Sequence, residues 1–377
     1  MMMRSVVILG VGMTDFGRFP ERPVAKVGAE AVLAALKDAG VRWKEIPAVY
    51  CAHAMGRSVD GQLVEAELGH TGIPIVNVSN ACAGGGTAAL IAYQAVAVGL
   101  YDLVLAMGVD QAPRGPLGGL FPPTVEGALG IDTWLAKYAM KIQRAIHERR
   151  YTLDQIAMAS VKNHNNACLN PRSQYKIHMS GVEDVHRSRV VADPMTLYHC
   201  CPTGDGAAAA IFCTEEIARR HTTPPFIKFA GGALTSQTFI RGDLADTREV
   251  TVRAAKKAYE ISGIGPKDLD VIELHDNFAV SELEHIVDLG LCHEEEVGHL
   301  MEEGVFNIAG SIPVNVSGGL LGKGHPTAAT GVAQLCEIVW QLREQAGQRQ
   351  VEHPKTGLSH SCGGDEGMAT YVNIVMK

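Results

Sequence analysis

Four short stretches of this chain carry residue types that can do chemistry together. Cys82 lies in Val78-Ser79-Asn80-Ala81-Cys82-Ala83-Gly84-Gly85-Gly86-Thr87, after the apolar run Ile73 to Val78 and before the helical run Ala88 to Gly99. A cysteine between a strand end and a helix start meets unpaired N–H groups and the positive end of the helix dipole, which favour a thiolate. The glycines behind it let a substrate approach the backbone closely. His275 and Asn277 stand in Glu273-Leu274-His275-Asp276-Asn277-Phe278. An imidazole at a strand end can orient a water or donate to a developing oxyanion; an amide can donate but cannot transfer protons at neutral pH. His325 stands in Gly322-Lys323-Gly324-His325-Pro326-Thr327, where glycines and proline fix the ring at the mouth of a helix. Cys362 stands in Ser359-His360-Ser361-Cys362-Gly363-Gly364-Asp365-Glu366-Gly367, expected as a glycine-rich turn between two strands. Singly each is weak, since a lone cysteine is more often a small core hydrophobe and a glycine-flanked histidine a loop residue. Together they supply a nucleophile, a base and oxyanion donors.

The elements that must position these residues follow an α/β pattern. Strands are expected at Val6 to Val11, Ile46 to Ala52, Ile73 to Val78 and Asp102 to Val109, the last a continuous apolar run suited to burial on both faces. Val24 to Ala39 repeats apolar residues at helical spacing and stops at Gly40, a C-terminal cap. Gly61 to Leu68 reads as a helix. From Gln111 to about Tyr198 the character changes to loop signals, two polar amphipathic helices (Ile131 to Arg149 and Leu153 to Cys168) and the polar segment Asn170 to His178. This segment, about 111-198, reads as an inserted lid that carries a binding site. The strand Ala207 to Cys213 follows. Beyond the linker Thr222-Thr223-Pro224-Pro225, the order of elements starts again: helix Val250 to Tyr259, strand Asp270 to Leu274, then Val314-Asn315-Val316-Ser317-Gly318-Gly319 and the helix Ala328 to Arg343, echoing the Cys82 unit. The expected architecture is therefore two duplicated α/β halves, 1-220 with its lid and 221-377.

Composition narrows the function. The chain has 377 residues, 46% of them hydrophobic and 20% charged, enough for a large core and more than one domain-sized unit. A net charge of −8, with no basic stripe among aromatics, gives no support for nucleic-acid binding, although a local basic patch remains compatible with an anionic substrate. The nine cysteines do not read as a disulfide framework. His199-Cys200-Cys201 lacks a second ligand pair and reads as structural, so no metal site and no permanently bound cofactor are expected. No apolar run reaches membrane-spanning length, no signal-peptide pattern opens the chain, and Ile374-Val375-Met376-Lys377 is not a Ser-Lys-Leu address, so a reducing cytoplasm is expected.

The sequence resembles the thiolase superfamily and, within it, the sterol-carrier-protein-type thiolases. The family's four fingerprints occur in order as Asn80-Ala81-Cys82-Ala83-Gly84, His275-Asp276-Asn277-Phe278, Gly324-His325-Pro326 and Cys362-Gly363-Gly364. Cys200-Cys201-Pro202-Thr203, Asp205-Gly206-Ala207 and Ser317-Gly318-Gly319-Leu320 with Lys323 agree, and the likeness covers essentially the whole chain. The resemblance implies a thiolase-like fold layered α-β-α-β-α, with Cys82 carrying the acyl group as a thioester and His325 activating it. His325, with a water near His275, would stabilise the enolate oxygen of the CoA thioester, and the N–H groups of Cys82 and Gly364 would hold a second oxyanion. The lid would carry much of the CoA site. Gly318, Gly319 and His164 are candidate substrate-binding residues, while a solvated helix face is the more ordinary fate of Lys162, Asn163 and His164.

One departure matters. Sterol-carrier-type relatives usually place an acid/base cysteine where this chain has Asn277, and Cys362 occupies the Cys-x-Gly position that ordinary thiolases use, so the proton-transfer role is assigned to Cys362. Asp365 and Glu366 beside it are expected on a solvated turn; if close, they would raise the thiol's pKa. The resemblance implies CoA as substrate, CoA thioesters as ligands and a homodimer. It leaves room for a small partner subunit with a zinc ribbon and an oligonucleotide-binding-type fold. The leading expectation is thiolytic cleavage of a 3-oxoacyl-CoA or the reverse Claisen condensation. The alternatives are a related carbon–carbon lyase or ketosynthase, a specialised two-component thiolase or lyase subunit acting on a branched or aromatic acyl-CoA with that small partner, and a non-catalytic acyl-CoA-binding subunit.

Overall fold

The computed structural model describes residues 3–56, 58–113, 128–129, 133–223, 225–238, 248–364 and 367–377. Asp365 and Glu366 lie outside the described residues, as do Pro224, the start of the helix expected from Ile131 and most loop signals after Pro113. The strands are β1 (Val6–Met13), β2 (Val49–Ala52), β3 (Ile75–Val78), β4 (Leu103–Gln111), β5 (Val190–Ala192), β6 (Met195–Thr196), β7 (Asp205–Thr214), β8 (Lys228–Ser236), β9 (Val271–Glu273), β10 (Thr356–Gly363) and β11 (Ala369–Met376). Nine of them form one sheet in the order β3-β2-β4-β7-β1-β8-β11-β10-β9, and β5 pairs with β6.

The sheet repeats its own pattern on either side of the β1–β8 junction. On one side β2 is parallel to β4, β4 antiparallel to β7, and β7 antiparallel to β1. On the other, β9 is parallel to β10, β10 antiparallel to β11, and β11 antiparallel to β8. Even the outermost pair recurs, since β3 runs parallel to β2 and Val314 makes a parallel bridge to Ile272 of β9.

Helices complete five layers. α1 (Val24–Ala39) packs on β1, β7 and β4 with α2 (Asp60–Leu68) beside it, and ends at Gly40 with φ 67°, as its sequence predicts. The helix Glu249–Ser262 covers β8 and β11 on the opposite outer face. Between the layers lie α3 (Gly84–Ala97) and the helix Thr330–Leu342, which touch strands of both sides and each other. Both are buried almost all round, which explains their small, apolar composition. β2 starts three residues later than expected because Trp43–Glu45 forms a tight turn.

The two central helices approach through glycine. A methyl group on Gly331 would stand 2.3 Å from the backbone nitrogen of Gly86. Neither backbone can yield, so Gly331→Ala is expected to cost about 1–3 kcal/mol, read as a lower urea midpoint at unchanged slope.

Candidate active site

The Cys82 turn, Ala81–Ala83, stands between β3 and α3, with Ala81 held at φ +46°, a region that a residue with a side chain enters only under constraint. Ala83 N–H donates to the Asn80 carbonyl at 3.0 Å, and Asn80 Nδ2 donates to Thr87 Oγ1 at 3.2 Å, so the turn is clamped onto the first turn of α3. His325 Nε2 stands 3.3 Å from Cys82 Sγ. Its Nδ1 is 2.8 Å from Thr330 Oγ1, whose hydroxyl donates to the Pro326 carbonyl at 3.0 Å. Thr330 has one proton, already committed, so it accepts from Nδ1–H and leaves the Nε2 lone pair facing the sulfur. That is the arrangement of a base poised to take the thiol proton.

Electrostatics agree with a neutral pair. Burial, then the Asp110 carboxylate and Cys362, push the Cys82 thiol up to about 12. Burial and the Lys323 ammonium depress His325 to about 4. The expectation that the helix start alone would favour a Cys82 thiolate is corrected here, because desolvation outweighs the dipole of a short approach.

His275 completes this group; one of its ring nitrogens, the Cys82 sulfur and a ring nitrogen of His325 lie within 4.8 Å of one another. Ser361 Oγ donates to the Cys82 carbonyl at 3.1 Å and stands 2.8 Å from His275 Nδ1. The same one-proton logic puts the His275 proton on Nδ1 and leaves Nε2 an acceptor. Burial and the neighbouring rings of His325, His285 and His360 hold His275 well below its usual range, so it is neutral.

Cys362 lies at the end of β10 rather than within a turn, and the pleat decides its surroundings. Ser361 and Gly363 face the Cys82 turn; His360 and Cys362 face the other way. There the Cys362 sulfur stands 3.3 Å from His360 Nε2, 3.4 Å from Thr251 Oγ1 and 4.0 Å from His285 Nε2, and accepts from Thr370 Oγ1 at 3.3 Å. Burial works against its charge, yet His360 and His285 hold the thiol well below its ordinary value.

One cavity of about 660 Å³ connects these groups; Cys82, His275, Asn277, His325, Cys362 and Gly364 all line it. Its wall includes Trp134, Tyr138, Tyr175 and Phe278, the first three from the segment expected as a lid. Tyr138 stacks on Phe278 at 4.0 Å and accepts a hydrogen bond from Asn277 Nδ2 at 3.0 Å. Arg18, Lys141, Arg189 and Arg248 also line the cavity, a local basic lining in a chain of net charge −8. Cys200 and Cys201 reach it as well, beside a turn at Leu197–His199 rather than on a strand.

The three candidate substrate-binding residues sit elsewhere. Gly318 and Gly319 are buried behind the cavity, where Gly319, at φ +56°, leaves room for the Asp276 carboxylate; a methyl group there would stand 2.1 Å from Asp276 Oδ2. Asp276 accepts from the N–H groups of Leu320 at 2.7 Å and Leu321 at 3.3 Å, tying the His275 loop to the loop that leads to His325. His164 is fully buried, with Nδ1 at 2.9 Å from the Ser160 carbonyl. The solvated face expected of its helix is corrected too: Lys162 Nζ pairs with Glu282 at 3.0 Å, and Asn163 Nδ2 donates to Asp276 at 2.7 Å. These buried polar groups are retained because each charge has a partner.

Comparison with known proteins gives the following likenesses. The family model of the thiolase N-terminal domain matches residues 6–116, and that of the thiolase C-terminal domain-like family matches residues 231–376. The chain is 39% identical to the acetyl-CoA acetyltransferase of Methanothermobacter thermautotrophicus, over 97% of this chain and 98% of that one. It is 36% identical to sterol carrier protein 2 of Rattus norvegicus, over 95% of this chain and 70% of that one. It is 37% identical to the benzoylsuccinyl-CoA thiolase subunit BbsB of Thauera aromatica, over 96% of this chain and 95% of that one. Among solved structures, the Ltp2-ChsH2(DUF35) aldolase superposes with a TM-score of 0.86 at 24% identity, covering 99% of this chain and 97% of the other, a likeness of fold.

Proposed function

The chain belongs to the thiolase family, and on that premise we propose that it is an acyltransferase that cleaves a 3-oxoacyl-CoA with free CoA, or runs the reverse Claisen condensation, through an acyl-enzyme on Cys82. The observation that carries the mechanism is the Cys82 Sγ to His325 Nε2 contact of 3.3 Å, with the nitrogen lone pair turned to the sulfur. His325 takes the thiol proton as sulfur attacks the 3-oxo carbonyl; the new Nε2–H then points into the cavity as a donor for developing negative charge. His275, an acceptor at Nε2, holds a water whose second proton serves the same oxygen. The main-chain N–H groups of Cys82 and Gly364 serve the second oxyanion, and Asn277 positions Tyr138.

Cys362 moves the α-carbon proton. Cys362→Ala is expected to leave acylation of Cys82 intact and lower complete turnover by about 100-fold or more, measured by single-turnover acylation beside steady-state thiolysis. Retained turnover would favour a lyase or ketosynthase reaction. The direct test of the whole reading is intact-protein mass spectrometry with a panel of acyl-CoA and 3-oxoacyl-CoA esters. A gain of one acyl group, absent in Cys82→Ser, supports it; no adduct with any ester, with or without co-purified partners, favours a non-catalytic acyl-CoA-binding subunit. Aromatic acyl-CoAs belong in that panel, because Trp134, Tyr138 and Phe278 line the cavity.

Arg18 and Arg189 fit the CoA phosphates at the cavity lining, with the segment 111-198 as the lid above it. We take the halves as 1-220 and 221-377. A homodimer is supported by β3, an edge strand of the sheet whose Val76 is 49% exposed. A small zinc-ribbon and OB-fold partner is a second reading, favoured by the likeness to a solved aldolase whose name joins two components. Full activity of the purified single chain would count against it. No helix among the described residues is long and apolar enough to cross a membrane, and all nine cysteines are free, which fits a reducing cytoplasm.

A further inference from the structure

The helix Ala279–Asp288 brings to the cavity a histidine that belongs to none of the motifs above. His285 turns Nε2 toward Cys362 Sγ at 4.0 Å and Nδ1 toward Asp288 Oδ2 at 3.4 Å. Asp288 is in turn bound by Arg248 Nε at 2.8 Å, and Arg248 Nη1 reaches Glu294 at 2.6 Å. The Asp288 carboxylate takes the Nδ1–H and favours the doubly protonated ring, and in that imidazolium form Nε2–H points toward the sulfur.

Two further neighbours of that sulfur, His360 and Thr370, also face it as donors. The main-chain N–H of His275 faces His360 Nδ1 at 3.5 Å, which puts the His360 proton on Nε2, the atom 3.3 Å from Cys362 Sγ. Thr370 Oγ1 donates to the sulfur at 3.3 Å, and Thr251 Oγ1 stands 3.4 Å away. Cys82 meets the opposite environment, a bare nitrogen lone pair. One cavity thus holds two sulfurs with inverted surroundings.

We propose that Cys362 rests as a thiolate paired with a protonated His285, and that Asp288 and Arg248 hold this pair as the proton store for the α-carbon. This rests on the thiolase reading above. His285 touches no substrate atom; it acts through Cys362, whose sulfur receives and returns its proton. In the condensing direction the imidazolium proton first leaves with the departing CoA thiolate; the α C–H bond then breaks as the Cys362 S–H bond forms, the carbon keeps the electron pair as an enolate, and the proton moves on to the imidazole. In the cleaving direction the His285 proton passes to the sulfur and on to the enolate carbon, leaving neutral imidazole and thiolate. The thiol proton of incoming CoA then restores the imidazolium. Transfer within the pair leaves the total charge unchanged among Arg248, Lys141 and Arg150 on one side and Asp288, Glu284 and Glu294 on the other. The direction of each group's titration agrees: burial opposes charge on His285, but Cys362 and Asp288 raise it to about 9.

The test is the pH profile of alkylation at Cys362. Iodoacetamide is applied to the Cys82→Ser chain, and modification is mapped to the Cys362 peptide. Between about pH 6.5 and about pH 8.5 the rate is expected to change by less than about threefold, where a neutral thiol would gain about tenfold per pH unit. In Cys82→Ser with His285→Gln the steep profile is expected to return. A steep profile in the Cys82→Ser chain itself overturns the proposal, and this arm needs no change at His285. A profile still flat after His285→Gln overturns the assignment to His285 and passes it to His360. Failure of the thiolase reading shows separately, as no Cys82 adduct in the unmodified chain.

Discussion

Cys82→Ser is expected to abolish the acyl adduct and lower thiolysis by about 10,000-fold or more, the scale on which covalent catalysis fails without its nucleophile. The substitution exchanges one atom in a turn fixed by Asn80, Thr87 and the Ser361 hydroxyl, so the fold and the cavity walls stay in place. Serine would still face His325 Nε2, but a hydroxyl is far harder to deprotonate than a thiol already pushed up to about 12. The measurement pairs steady-state thiolysis with CoA affinity by calorimetry. A large loss of rate with unchanged affinity fits the nucleophile role, and turnover within tenfold of the parent would end it.

His325→Gln is expected to cost about 1,000-fold in acylation rate and, more tellingly, to change its pH dependence. Burial and Lys323 hold the imidazole at about 4, so its base form is present above about pH 4 and is lost only as pH falls through that value. The parent chain should therefore show no imidazole limb between about pH 6 and about pH 8, where an unperturbed histidine near 6.5 would produce one. Without the base, acylation would depend on the small thiolate fraction of Cys82 and rise about tenfold per pH unit toward alkaline pH. Stopped-flow acylation at several pH values reads both features. A flat profile in His325→Gln would mean that another group takes the Cys82 proton.

The periodicities and caps of this chain were legible from neighbouring residues, because they are local consequences of steric and hydrogen-bonding preference. The helix closed by Gly40, the doubly buried strand Leu103–Gln111 and the repeated order of elements all follow from such short-range signals. The motif residues were legible too, since Cys82, His275, His325 and Cys362 each sit in an unusual local context and do converge on one cavity. What they meet there was not legible. His325 is 243 residues from Cys82 and His285 is 77 from Cys362, separations over which no local preference fixes a contact. Gly318 and Gly319 read as a ligand loop, but the fold packs Gly318 against Ala167 and uses Gly319 to admit the Asp276 carboxylate. Lys162, Asn163 and His164 read as a wet face, but packing against Asp276 and Glu282 buries them.

The amino-acid sequence by itself determined which elements form, that they recur, and which four motif side chains come together at one cavity. The tertiary structure alone decided the surroundings of the two cysteines. The register and pleat of β10 turn Ser361 toward Cys82 and Cys362 toward His285 and His360, and a thiol's charge depends on burial and on the few groups within about 4 Å of it.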